Sequence, residues 1–185
     1  SYFDSVYEFP TVGYDNMLAA KASWDHLVAL GHRRIVVLSG PSDTNERTRA
    51  RLRQLHSASK EQLPVVEAPL DYASAAEATL KALEIAPEAT ALLCLSDVLA
   101  QGAMLQLAAR GFSIPNDISV IGMDDLPSSA SFHPPLTSIH LPVEEMGEEA
   151  ANAMSGWIET GIDPEPVNLG LKICVRGSTA KPRKR

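Results

Sequence analysis

The sequence has 185 residues, 45% of them hydrophobic, enough to build at least one ordinary domain with a full core. Its formal charge of −7 argues against nucleic-acid binding by these residues, because phosphate contacts need clustered Lys and Arg. The two cysteines, Cys94 and Cys174, sit far apart in apolar runs and read as small buried hydrophobes of a reducing compartment. No run is long enough for a membrane span, and residues 1–15 lack a signal-peptide pattern, so the expected setting is cytoplasmic, with no membrane partner.

In chain order, residues 1–15 offer at most one short strand before a helix over about 15–30, which Asn16 can cap and which Gly31 stops. The run "RIVVLSG" (34–40) reads as a strand and is followed by a helix over about 45–60. A second strand, "PVVEAP" (64–69), precedes a helix over 73–85. A third, "ATALLCLSD" (89–97), leads into a helix over 97–110, which ends at Gly111 with Pro115 beyond it. The fourth strand is "ISVIGMDD" (118–125). Continuous apolar strands alternating with helices imply an α/β, doubly wound parallel sheet covered on both faces. An extended piece over 136–141, a helix over about 144–160 with an acidic first turn, a strand in "VNLGLKICV" and a solvated basic tail at 181–185 complete the pattern.

Ligands of such sheets sit beyond the carboxyl ends of the strands, where loops and helix N-termini converge. That rule selects Ser39 and Gly40 with the loop to Arg47, Arg49, Arg51 and Arg53, then Asp71 and Tyr72, Ser96 and Asp97, and Asp124 and Asp125. Each has a plainer reading: the arginines as a solvated helix face, Ser96 or Asp97 as a helix cap, Tyr72 as cover for a helix start. A carboxylate straight after an apolar strand is harder to explain that way, since desolvation penalises it unless something pairs with it. Arg forks and carboxylates engage neighbouring hydroxyls, and an aromatic ring covers the apolar face of a sugar. Hydrolytic elbows, phosphate loops, dinucleotide fingerprints and metal spacing of the five histidines are all missing, so the inventory calls for no catalytic residue, metal or cofactor.

The stretches "VGYDN" (12–16), "HLVALGHRRIVVLSGP" (26–41), "GFSIPNDISVIGMDDL" (111–126), "HPPLTSIHLPVEEMGEEA" (133–150) and "VRGST" (175–179) resemble the core of the lactose-repressor/galactose-repressor (LacI/GalR) family of bacterial transcription regulators. That core is itself similar to type I periplasmic sugar-binding proteins. The resemblance implies a C-terminal part of an effector-binding core, mainly its C-terminal subdomain, with a helix-turn-helix, a hinge and most of a first subdomain expected upstream. Residues 1–18 would then close the N-terminal subdomain, 19–142 form the C-terminal one, 143–161 return to the first and 162–180 supply a closing strand.

Carried over, Asp124 matches the effector-binding aspartate, although Met123 stands where the family has Tyr or Phe. Tyr72 falls where an aromatic ring stacks on the effector, and Arg51, with Arg49 as the alternative, matches the effector-binding arginine. Ser96 replaces the usual Asn, Asp97 reads as structural, and Asp125 as a cap for the next segment. The implied partners are a sugar or similar polar effector, operator DNA through the upstream part, and a second copy docking through residues 98–110 and 126–132. A periplasmic sugar receptor and a small α/β enzyme are the alternatives, the latter lacking a nucleophile or metal site.

Overall fold

The computed structural model describes residues 10–59 and 62–183. Four strands, β2 (Ile35–Ser39), β3 (Val65–Glu67), β4 (Ala91–Cys94) and β5 (Ser119–Asp124), alternate with α1 (Asn16–Leu30), α2 (Glu46–Ser59), α3 (Tyr72–Ile85) and α4 (Asp97–Ala109). They join β6 (Thr137–His140) and β8 (Lys172–Cys174) in a six-stranded sheet of order β3-β2-β4-β5-β6-β8, parallel except where β8 runs against β6. The central strands are buried on both faces because alternate side chains enter different cores. Ile35, Val37, Leu93, Ile121 and Met123 pack with Ala19, Leu27, Leu52 and Leu55 of α1 and α2. On the opposite face Val36, Leu38, Leu92 and Val120 meet Ala75, Ala78, Leu99 and Leu107 of α3 and α4.

Three local readings change. The cap of α1 is Asp15, whose extended backbone lets its carboxylate accept from the N–H groups of Met17 (2.7 Å) and Leu18 (3.1 Å). Asn16 is already helical and its side chain turns to Arg51 instead. The single strand expected in 167–175 is two: β7 (Val167–Asn168) leaves the main sheet to pair in parallel with β1 (Val12–Gly13), and only β8 closes the sheet edge. Finally, the nearly all-round apolarity of α4 has a local cause, since Leu99, Ala100, Ala103, Met104 and Leu107 are buried between α3 and the sheet, with Leu105 left exposed.

The α1 stop at Gly31 (φ +105°) and the left-handed Gly111 (φ +79°) are where the sequence placed them. The helix α5 (Val143–Thr160) contacts β1 and buries only Met146.

Candidate functional site

The carboxyl ends of β2, β4 and β5 open into one hollow of about 230 Å3. Its polar wall comprises Tyr14, Asn45, Arg47, Thr48, Arg51, Ser96 and Asp124, and its apolar wall includes Pro41, Leu70, Leu95, Leu141, Val143 and Met146. Three sequence-selected residues, Arg51, Ser96 and Asp124, therefore meet in one place.

Arg51 is buried at 8% exposure, and its donors go to neutral acceptors: Nε to Asn16 Oδ1 (2.9 Å), one terminal nitrogen to Leu95 O (3.1 Å), the other to the Tyr14 hydroxyl (3.0 Å). The bond from Arg51 fixes the orientation of the Asn16 amide and leaves its buried Nδ2 without a partner among the described residues. Ser96 caps α4, its Oγ accepting from Val98 N–H (3.2 Å) and donating to Asp124 Oδ2 (3.1 Å). The Asp97 N–H at that helix terminus points at the same carboxylate oxygen (3.3 Å). Burial pushes the Asp124 carboxyl up to about 6, and the charge of Asp97 adds to this. The Asp97 N–H, Arg51 and the Ser96 hydroxyl pull the other way.

Asp124, the last residue of β5, and Asp125 just beyond it part company because both carry positive φ, +128° and +58°, a conformation non-glycine residues adopt at a cost of about 1–3 kcal/mol each. Asp124 faces α4 and the hollow. Asp125 turns to the β6–β8 edge, where it accepts from Arg176 (2.6 Å) and Cys174 Sγ (3.2 Å) and contacts His140 Nδ1 (3.1 Å). Burial raises the Asp125 carboxyl, but the hydrogen bonds from Arg176, Cys174 and His140 and the Arg176 charge outweigh it and leave it below its ordinary value. Asp125 is thus no cap: the 310 turn η1 (Pro127–Ser131) has no side-chain cap, and Asp125 is spent on Arg176.

Asp97 is fully buried and accepts from Ser129 Oγ (2.6 Å), Leu126 N (2.8 Å) and Ser138 Oγ (2.6 Å). Those bonds hold the turn after Asp125 against α4.

Of the five residues matched to effector contacts, Arg49 and Tyr72 lie outside the hollow's lining. Arg49 folds back on its own helix start, donating to Ser42 O (3.0 Å), Asp43 O (2.9 Å) and Glu46 (2.5 Å), so of these two arginines it is Arg51 that lines the hollow. Tyr72 opens α3 at 49% exposure and donates its hydroxyl to Gln101 Oε1 (2.7 Å). Sequence reasoning missed Tyr14, Asn45 and Thr48, and treated Arg47 only as one of a series. Asn45 had a usable signal, since an Asn before a helix start is a capping residue and its Oδ1 takes Thr48 N–H (3.2 Å). Tyr14 had none, because its partner is 37 positions away.

The histidines have structural partners where they are buried. His32 spans Thr90 Oγ1 (2.9 Å) and Ala180 O (2.8 Å), and His26 meets Thr179 Oγ1 (2.9 Å), so both pin the C-terminal segment to the sheet, and burial lowers both pKa values. Among the described residues no group of three or more His, Cys, Asp or Glu could hold a metal, and no helix is long and apolar enough to cross a membrane.

Residues 24–179 match the model of the periplasmic binding protein-like domain family. The HTH-type transcriptional regulator MalR of Streptomyces coelicolor is 32% identical over 96% of this chain and 54% of its own length. Among solved structures, the transcriptional regulator CelR in complex with cellobiose superposes with a TM-score of 0.82 at 30% identity, covering 92% of this chain and 54% of that one. A LacI-family regulator from Enterococcus faecalis V583 with bound ribose gives 0.83 at 27%, covering 91% and 62%. The chain spans about half the length of the curated relatives it matches.

Proposed function

Because this chain belongs to the periplasmic binding protein-like family, with LacI-type transcriptional regulators as its relatives, we propose that it is the effector-sensing core of such a regulator and that its hollow binds a sugar or similar polar molecule without transforming it. The observation that carries the reading is the meeting of Arg51, Ser96 and Asp124 at the carboxyl ends of three parallel strands. A half-buried carboxylate and a buried guanidinium with donors to spare suit vicinal hydroxyls, which both accept and donate. The apolar wall of Leu95, Leu141 and Met146 suits the C–H face of a sugar ring. Tyr72, half-exposed at the start of α3 two residues beyond Leu70 of the apolar wall, stacks on the effector from the solvent side.

Binding needs only to favour one arrangement of two lobes over another, and coupling of about 1–3 kcal/mol is ordinary for such switches. No nucleophile, metal or cofactor is required, so the protein is a sensor rather than an enzyme. The separate β1–β7 pair and α5, which contacts β1, support the assignment of 1–18 and 143–161 to a first subdomain and of 19–142 to the second. Residues 1–9 lie outside the described residues. Within 162–180, Val167 and Asn168 go with the first subdomain and the remainder with the second. Operator binding belongs to the longer polypeptide, and a regulator of this type works in the cytoplasm. The HTH-type relatives favour this reading over a periplasmic receptor.

Calorimetric titration of cellobiose and of ribose into the longest native polypeptide carrying this chain tests the reading. Loss of a charge-assisted bond in Asp124→Asn is expected to weaken whichever sugar binds by about 10- to 100-fold. Unchanged affinity in that variant would remove Asp124 from the site.

A further inference from the structure

We infer that Gln101 is a positioning residue that fixes the ring of Tyr72 at the start of α3, where the effector reading above has it stack on the ligand, and the inference rests on that reading. Gln101 lies one turn into α4 and is fully buried. Its Oε1 accepts from the Tyr72 hydroxyl (2.7 Å), and its Nε2 donates to Ser128 Oγ (2.8 Å) and Ser129 Oγ (3.0 Å). One amide thus joins the first residue of α3 to the turn that follows Asp125. Ser129 passes the connection to Asp97 (2.6 Å), whose N–H reaches Asp124.

The bond to Tyr72 is not needed to satisfy the phenol. Tyr72 is half-exposed, and water would take its hydroxyl as readily. What the bond changes is direction: a half-exposed tyrosine free to turn in solvent is held with its hydroxyl facing the protein, so the ring face is what remains for a ligand. The backbone is held as well. A Cβ at Gly102 would stand 2.5 Å from Ala75 Cβ and 3.2 Å from Tyr72 O, so the start of α3 lies directly on α4 where Gln101 projects. Gln101 therefore presets a stacking surface that would otherwise be ordered only on binding.

Labelling with 3-fluorotyrosine provides a readout independent of any ligand. The Tyr72 resonance, assigned by its loss in Tyr72→Phe, is expected to stand apart from the free amino-acid shift in the wild type and to move towards it in Gln101→Leu. For cellobiose or ribose, Gln101→Leu and Tyr72→Phe should each weaken binding about fivefold, the worth of one neutral hydrogen bond, and the double variant by the same factor rather than the product. Tyr72→Phe alters an exposed side chain and so reports even where Gln101→Leu folds poorly. An unmoved resonance in Gln101→Leu overturns the inference, as do multiplicative losses. If Asp124→Asn loses the sugar while neither Gln101→Leu nor Tyr72→Phe changes affinity, the inference falls and the effector reading stands. If neither sugar binds the wild type, the sugar reading falls and takes the positioning role with it.

Discussion

Asp124 is held in a state that folding alone does not favour. Its carboxyl has an ordinary value of 3.8 in the unfolded chain and about 6 in the folded one, chiefly through burial, so the folded protein binds the proton more tightly between those values. Stability is then highest while the group is protonated. It falls as pH rises from about 4 to 6 and is level above, a cost on the order of 3 kcal/mol at neutral pH. Asp124→Asn is accordingly expected to stabilise the protein at pH 7.5 and leave it unchanged near pH 4, as denaturant melts at the two values would read. A variant less stable at pH 7.5 would contradict that account. Sugar binding should follow the opposite trend, because hydroxyls donate to the charged form, and affinity should drop as pH falls through 6. At this scale the sequence was legible where chain direction alone places a residue: Asp124 ends β5, Ser96 follows β4 by two positions, and strands end at the crevice. It was illegible where a long side chain chooses its direction. Arg51 and Arg49 lie two positions apart on one helix, and only packing sends the first inward and the second back to Glu46.

Elements carried a clearer signal, because strands buried on both faces must be apolar without interruption, and three such runs located β2, β4 and β5, while the shorter "PVVEAP" marked the edge strand β3. Their ends were overrun. "ATALLCLSD" contains a strand of only Ala91–Cys94, since Ser96 is already the cap of α4. "VNLGLKICV" hid a change of sheet because sequence pattern does not say which neighbour a strand takes. One glycine had a cause visible only when β5 and α4 are seen together: a Cβ on Gly122 would lie 2.1 Å from Asp97 Oδ1 and 3.1 Å from Leu136 Cδ2. Asp97 has nowhere to retreat, being tied to Ser129, Ser138 and Leu126. Gly122→Ala should therefore cost about 3 kcal/mol in urea denaturation, more than an ordinary overpacked methyl, because relieving it breaks bonds to a buried carboxylate. A loss under 1 kcal/mol would mean that the helix start yields, and that Asp97 is not the rigid support of the η1 turn.

For the whole molecule, the open matter is what covers the apolar surface that the fold leaves outside. Burial accounts for most of α4, so its apolar character is weaker support for a subunit interface than the sequence suggested. What remains is specific: Leu105 on α4, Ile85 at the end of α3 and Phe112 just beyond α4 are all exposed. Leu83 and Arg110 line a hollow with Phe112 between the two helix ends. Large exposed apolar groups near the ends of α3 and α4, on a protein with a net charge of −7, fit a self-complementary contact better than an acidic or basic partner. A homodimer is the expected state, and Leu105→Glu, at a position 54% exposed, should shift it to monomer without disturbing the fold, because a half-exposed carboxylate is solvated in the monomer and desolvated only in the dimer. Analytical ultracentrifugation across a hundredfold range of concentration decides it. Dimeric sedimentation lost in Leu105→Glu, at an unchanged circular-dichroism melt, is the expected result. A wild type that sediments as monomer at every concentration would leave these residues as scattered surface apolars. A dimer indifferent to Leu105→Glu would move the contact to another face, for which Val143, Met154 and Ile158 on α5 are an exposed apolar set.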